Sequence, residues 1–153
     1  MLGASLTQER GNAMNLFNRP LGHDLVEVEE AGTPYTTQLR FADHLLVADE
    51  PVALGGANKG PSPMEVALGA LGACTAITLR MYANRKGWAV DRLAVRVHQR
   101  VADDKVPEIV RDIRLSGALD AEQRARLLDI ANKCPVHKLM TENKRVLTSL
   151  IGV

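Results

Sequence analysis

Aromatic residues make up only 3% of the 153-residue chain: two Phe, two Tyr and one Trp. So few rings cannot form a stacking platform for the bases of a single-stranded nucleic acid. The core must therefore be built from Leu, Val, Ile and Ala. Charge of one sign is also lacking. The formal net charge is +1 and no basic run stands out, so the concentrated basic face that phosphate binding needs is missing and no nucleic-acid partner is expected. The N-terminus, MLGASLTQERGNAMNLFNRPLGHD, has no basic start followed by an apolar stretch. It does not read as a secretory signal, and a cytoplasmic location is expected. The longest apolar run, Val66 to Leu79, is shorter than a bilayer span; it reads as a core helix and no membrane partner is expected. Cysteine is scarce too: Cys74 and Cys134 are the pair. In a reducing compartment they are not expected to form a permanent staple. They are free thiols, a catalytic pair or part of a metal site.

What the chain does contain is 46% apolar residues, enough for a core in one domain over residues 21–153. Residues 1–20 show no period and read as a disordered tail. Three short strands are then expected. Leu25 to Glu30 (LVEVEE) and Tyr35 to Phe41 (YTTQLRF) alternate around the turn signal Gly32-Thr33-Pro34, and His44 to Ala48 (HLLVA) follows a break at Asp43. Glu50 to Gly60 is a loop rich in Gly, with no P-loop pattern after it.

A helix starts clearly at Ser62-Pro63-Met64-Glu65, which is a capping box with proline at its first position, and Gly87 stops it. Its middle, VALGALGACTAITL, is apolar on every side, so it needs cover all round. Two alternating strands follow. Arg92 to Val101 puts Leu93, Val95 and Val97 on one face; Glu108 to Leu115 does the same with Ile109, Ile113 and Leu115. Asp120 and Gln123 open a second helix. Pro135 interrupts it, a short helix resumes through Met140, and Val146 to Ile151 reads as a closing strand. The order βββ-α-ββ-αα-β predicts an α+β domain with a largely antiparallel sheet, a long buried central helix and a second helix.

Two residues carry candidate chemistry. Cys74 lies mid-helix in the apolar run, where a cysteine commonly packs as a small hydrophobe. Cys134 lies directly before Pro135, where a new helix begins and free N–H groups favour a thiolate. Zinc is not expected, because there is no second Cys pair and His23, His44 and His98 lack ligand spacing. His137 stands near Cys134 but reads as a surface residue of the short helix. Arg80, Arg85 and Lys86 suit the helix C-terminus.

The stretch GGANKGPSPMEVALGALGACTAITLRMYA, with KCPVHKLM roughly sixty residues later, resembles the OsmC/Ohr family of osmotically inducible and organic hydroperoxide resistance proteins. The resemblance covers roughly Leu25 to Ile151. It implies an OsmC-like fold in which two chains intertwine as a homodimer, covering the apolar helix. It implies a thiol-dependent peroxidase acting on organic hydroperoxides or hydrogen peroxide in oxidative stress defence. Cys74 would attack the peroxide, Cys134 would resolve the sulfenic acid, and an unidentified thiol electron donor would recycle the pair. No cofactor or metal is implied. The alternative is a small-molecule binding or redox-sensing protein of the same family.

The chain departs from the hydroperoxide-specific pattern at the activating residues. That pattern has Glu directly after the helix-starting proline. Here Met64 stands there and Glu65 follows, about 100° further round the helix and, on a straight helix, about 13 Å from Cys74. The pattern also has an Arg in the first strand turn; Glu30 to Pro34 holds none, and Arg40 in the second strand is the nearest candidate. Glu65 and Arg40 are therefore the activating candidates.

Overall fold

The computed structural model describes residues 25–32 and 34–150. The tail expected over residues 1–20, His23 and Ile151 lie outside the described residues. The chain falls into two compact units, one of residues 1–63 and 147–153, the other of residues 64–146. Among the described residues all strand pairing is antiparallel, and the mixed α+β class is as expected.

The first unit is a meander of β1 (Val26–Glu30), β2 (Thr37–Phe41) and β3 (His44–Ala48), in spatial order β1-β2-β3. Its second strand starts two residues later than the alternation suggested. The loop after β3 is organised by Asp49, which is 1% exposed. One carboxylate oxygen accepts from the Glu50 N–H at 2.8 Å. The other accepts from the Thr36 hydroxyl at 3.0 Å and from the N–H groups of Ala57 and Lys59 at 3.3 and 3.2 Å. The loop closes back so tightly that a Cβ at Gly56 would lie 1.9 Å from the Glu50 carbonyl, and one at Gly60 2.2 Å from that of Val47. The glycines thus serve close backbone approach.

Burial raises the Asp49 pKa, but the N–H donors of Lys59, Glu50 and Ala57 and the Thr36 hydroxyl outweigh it, and the net value lies below the ordinary 3.8. A carboxyl depressed in the folded state contributes stability that is present above its unfolded value and is lost as pH falls through the folded one. Asp49→Ala is therefore expected to lower the melting temperature at neutral pH. The deficit should shrink in strong acid, as read by thermal unfolding across a pH series.

In the second unit, α1 runs Pro63–Lys86, β4 Arg92–Val101, β5 Pro107–Ser116, α2 Ala121–Ala131 and α3 Pro135–Thr141. The α1 start at Pro63 and the stop at Gly87, with φ +67°, are where the sequence signals put them. Leu71, Thr75, Leu79 and Ala83 form its buried stripe, four residues apart and so on one face. Leu79 and Ala83 join Val90, Leu127, Ile130 and Ala131 in the core, backed by Tyr82, Trp88, Leu93, Ile113, Leu115 and Leu119. Gly72 lets α1 lie close to β4: a Cβ there would stand 3.3 Å from Val97 Cγ2. Arg80 bonds the Val90 carbonyl, so it ties the helix to the next segment and is not merely a complement to the helix dipole. α2 opens with the expected capping box of Asp120 and Gln123.

One expectation differs from the structure. Residues 146–150 are irregular, not a strand, with Val146 and Leu147 90% exposed. A strand needs a neighbour for its backbone N–H and C=O groups, and alternation alone does not supply one. Within its own unit α1 is not covered all round. Met64, Ile77 and Met81 stand exposed on it. The apolar run also extends into a helix of 24 residues, with an 18-residue window of mean hydropathy 1.4 that is 22% buried. Its length alone no longer excludes a membrane span, although the core helix of a globular domain passes the same test.

Candidate active site

The second unit brings the two thiols together. Cys74 comes from the middle of α1 and is partly exposed; Cys134 is the N-cap of α3 and is fully buried. The Cys74 thiol stands near enough to Cys134 to favour its thiolate. The Cys134 position follows from local sequence: Pro135 occupies the first turn of α3, where no N–H is needed, and the sulfur accepts the His137 N–H at 3.3 Å. Thr75, next to Cys74 and on the buried stripe, places its hydroxyl 3.7 Å from Cys134 Sγ and donates to the Leu71 carbonyl at 2.8 Å.

A residue that sequence reasoning missed completes the cluster. The β4–β5 register pairs Leu93 with Leu115, Val95 with Ile113, Val97 with Arg111 and Gln99 with Ile109. Arg111 thus stands on the inward face, between apolar neighbours. Its Nη1 donates to the Thr75 hydroxyl at 3.0 Å and to the Ala131 carbonyl at 3.1 Å. Its Nη2 donates to Asn132 Oδ1 at 2.8 Å. The available signal was a cation interrupting the run Ile109, Ile113, Leu115.

These contacts set the charge of Cys134. Burial is the largest single influence and pushes the thiol up. The His137 N–H, the Thr75 hydroxyl, the Cys74 thiol and the Arg111 guanidinium act the other way, and together they bring it below the ordinary 9.0. The arrangement is a thiolate-favouring sulfur, closed to solvent, beside a sulfur that solvent reaches.

Glu65 stands with Leu68, Gly69, Gly72, Ala73, Val95 and Val97 around a cavity of about 350 Å³ whose lining includes neither thiol. Arg40 lies in the first unit, ion-paired with Glu27 directly across the β1–β2 ladder. Among the described residues, no three of His, Cys, Asp and Glu gather as a metal site.

An OsmC-like protein family model matches residues 56–149, a span that contains both thiols and Arg111. The chain belongs to the OsmC-like family. Solved structures share the OsmC-like fold at low identity. A Psychrobacter arcticus 273-4 protein aligns with a TM-score of 0.67 at 19% identity, over 83% of this chain and 93% of its own. An OsmC like protein from Mycoplasma pneumoniae aligns at 0.64 and 16%, over 77% and 88%. The organic hydroperoxide resistance protein OhrB of Bacillus subtilis aligns at 0.51 and 20%, over 78% and 92%. No curated protein matches this OsmC-like sequence.

Proposed function

We propose that the chain is a thiol-dependent peroxidase of oxidative stress defence, reducing organic hydroperoxides or hydrogen peroxide. Cys74 is the attacking thiol and Cys134 the resolving one. The observation that carries this reading is the neighbourhood of an accessible and a buried free cysteine, the buried one held as the N-cap of α3 among thiolate-favouring groups. Several OsmC-like fold neighbours, OhrB among them, are organic hydroperoxide resistance proteins, which supports the substrate class.

The chemistry uses one shared proton. In the resting pair, Cys134 is the favoured thiolate and Cys74 carries the proton. Passing that proton to Cys134 leaves the accessible sulfur as the thiolate. It attacks the terminal peroxide oxygen: an S–O bond forms, the O–O bond breaks, and the alkoxide takes the proton from Cys134 and leaves as the alcohol. Cys74 is now a sulfenic acid and Cys134 a thiolate. Cys134 attacks the Cys74 sulfur, the S–S bond forms, and the hydroxide that leaves is protonated by solvent. The peroxide gains two electrons and the thiol pair loses two. An external thiol donor returns them, in keeping with a reducing, cytoplasmic setting.

The partner in this reading is a second copy of the chain. Ala70, Ala73, Ile77 and Met81 make a stripe roughly opposite the buried stripe of α1, and a homodimer would cover it. Light scattering reads this directly, with a mass twice that of the chain as the expected result.

Cys134→Ser is expected to stop the reaction after one turnover, with the Cys74 sulfenic acid left to be trapped by dimedone. Intact mass with one dimedone per chain is the supporting result. Continued turnover, or no adduct, counts against the assignment of Cys134.

A further inference from the structure

Arg111 is half-buried, and among the described residues its hydrogen-bond partners include no acid. A guanidinium on the apolar face of a strand is costly to desolvate unless it is paired. Yet its three bonded partners, the Thr75 hydroxyl, the Ala131 carbonyl and the Asn132 amide oxygen, are all neutral. The same guanidinium grips the last residue of α2 and the next one in the chain, and these lead directly into Cys134. It also fixes the hydroxyl of Thr75, whose single hydrogen has two acceptors in reach, the Leu71 carbonyl and the Cys134 sulfur.

We infer that Arg111 is the positioning residue for Cys134, and that the Cys134 thiolate is its counter-charge. The inference rests on the peroxidase reading for its catalytic meaning, but the charge pairing stands apart from it. Arg111 acts in three ways. It holds the α2–α3 joint, so that the Cys134 sulfur faces Cys74. It leaves the Thr75 hydroxyl free to turn its hydrogen to the sulfur when that sulfur is charged. Its field keeps the pair short of one proton near neutral pH. In the resolving step it thereby supplies Cys134 as the thiolate that forms the S–S bond and expels hydroxide from Cys74. Among the described residues, the Thr75 hydroxyl of α1 faces Cys134, Arg111 of β5 bonds that hydroxyl, and Cys74 of α1 lies near enough to favour the thiolate. On its own segment, Lys133 precedes it and His137 contributes a backbone N–H.

Arg111→Gln keeps hydrogen-bonding capacity and removes the charge; Arg111→Lys keeps the charge. In a Cys74→Ser background, the ultraviolet absorbance of the thiolate titrates Cys134 without any peroxide. Arg111→Gln is expected to move that titration up by about one unit, or about tenfold less thiolate at neutral pH, and Arg111→Lys to recover most of the shift. With both cysteines present, the acid limb of peroxide consumption should move up by the same amount, with activity returning at alkaline pH. A merely structural role would lower the rate at every pH. An unmoved titration in Arg111→Gln overturns the inference. A moved titration in a protein that consumes no peroxide upholds the charge pairing and removes the peroxidase reading instead. If Arg111→Gln does not fold, Arg111→Lys decides: a titration that remains below the ordinary thiol range upholds the pairing, and one within that range overturns it.

Discussion

Cys74→Ser is expected to reduce hydroperoxide consumption by about a thousandfold, to the level of the uncatalysed reaction. A serine hydroxyl in the middle of α1 has no thiolate form to offer the peroxide, and the remaining sulfur, Cys134, is 0% exposed. The substitution is nearly isosteric at a partly exposed position, so the fold should survive and the loss should be chemical. The measurement is peroxide consumption with a dithiol reductant in excess, beside a melting curve. A melting temperature close to that of the parent chain with activity gone is the expected pair of results. Undiminished turnover would mean that the accessible sulfur is not the nucleophile.

Leu79→Ala is expected to cost about 2–5 kcal/mol of stability, the usual range for a fully enclosed leucine truncated in place. Leu79 is 0% exposed and sits in the core with Val90, Leu127 and Ile130. It also borders a cavity of about 430 Å³ lined by Ile113, Arg114, Leu115, Arg124, Leu127 and Leu128. Removing its branched end would enlarge that space, not close it. Against a typical total of about 5–15 kcal/mol, this is a large fraction. Urea unfolding reads it as a lowered midpoint at unchanged slope. The effect should also reach the site, because Leu79 is one turn from Thr75 on the same buried stripe. Cys134 should therefore become easier to alkylate in the native state. A cost below about 1 kcal/mol would contradict the packing described for α1.

Much of this was legible from local signals. Proline after Ser62, the Asp120–Gln123 box and the Cys134-Pro135 pair mark helix starts through chemistry confined to a few neighbouring residues, and each start is where it was expected. The antiparallel strands followed from period-two alternation. Features set by distant chain were not legible. Asp49 is a single acidic residue before a glycine-rich loop, and only folding shows amides from Glu50, Ala57 and Lys59 converging on it. Residues 146–150 alternate well enough for a strand but pair with no strand among the described residues. Arg111 was visible only as a gap in the apolar pattern of β5; its meaning depends on cross-strand register and on what α1 and α2 place beneath it. Glu65 and Arg40 came forward because they share residue types with a pattern. The hydrogen bonds bring in another cation, Arg111 of β5, through the Thr75 hydroxyl that faces Cys134.

The central claim is that Cys74 and Cys134 act as one redox pair. Its most direct measurement is the intact mass of the reduced chain after one equivalent of cumene hydroperoxide, followed by peptide mapping without reductant. The account predicts the rapid loss of two hydrogens and a single disulfide joining Cys74 to Cys134. Both thiols still reduced, or a slow and unselective addition of oxygen to each, would contradict it.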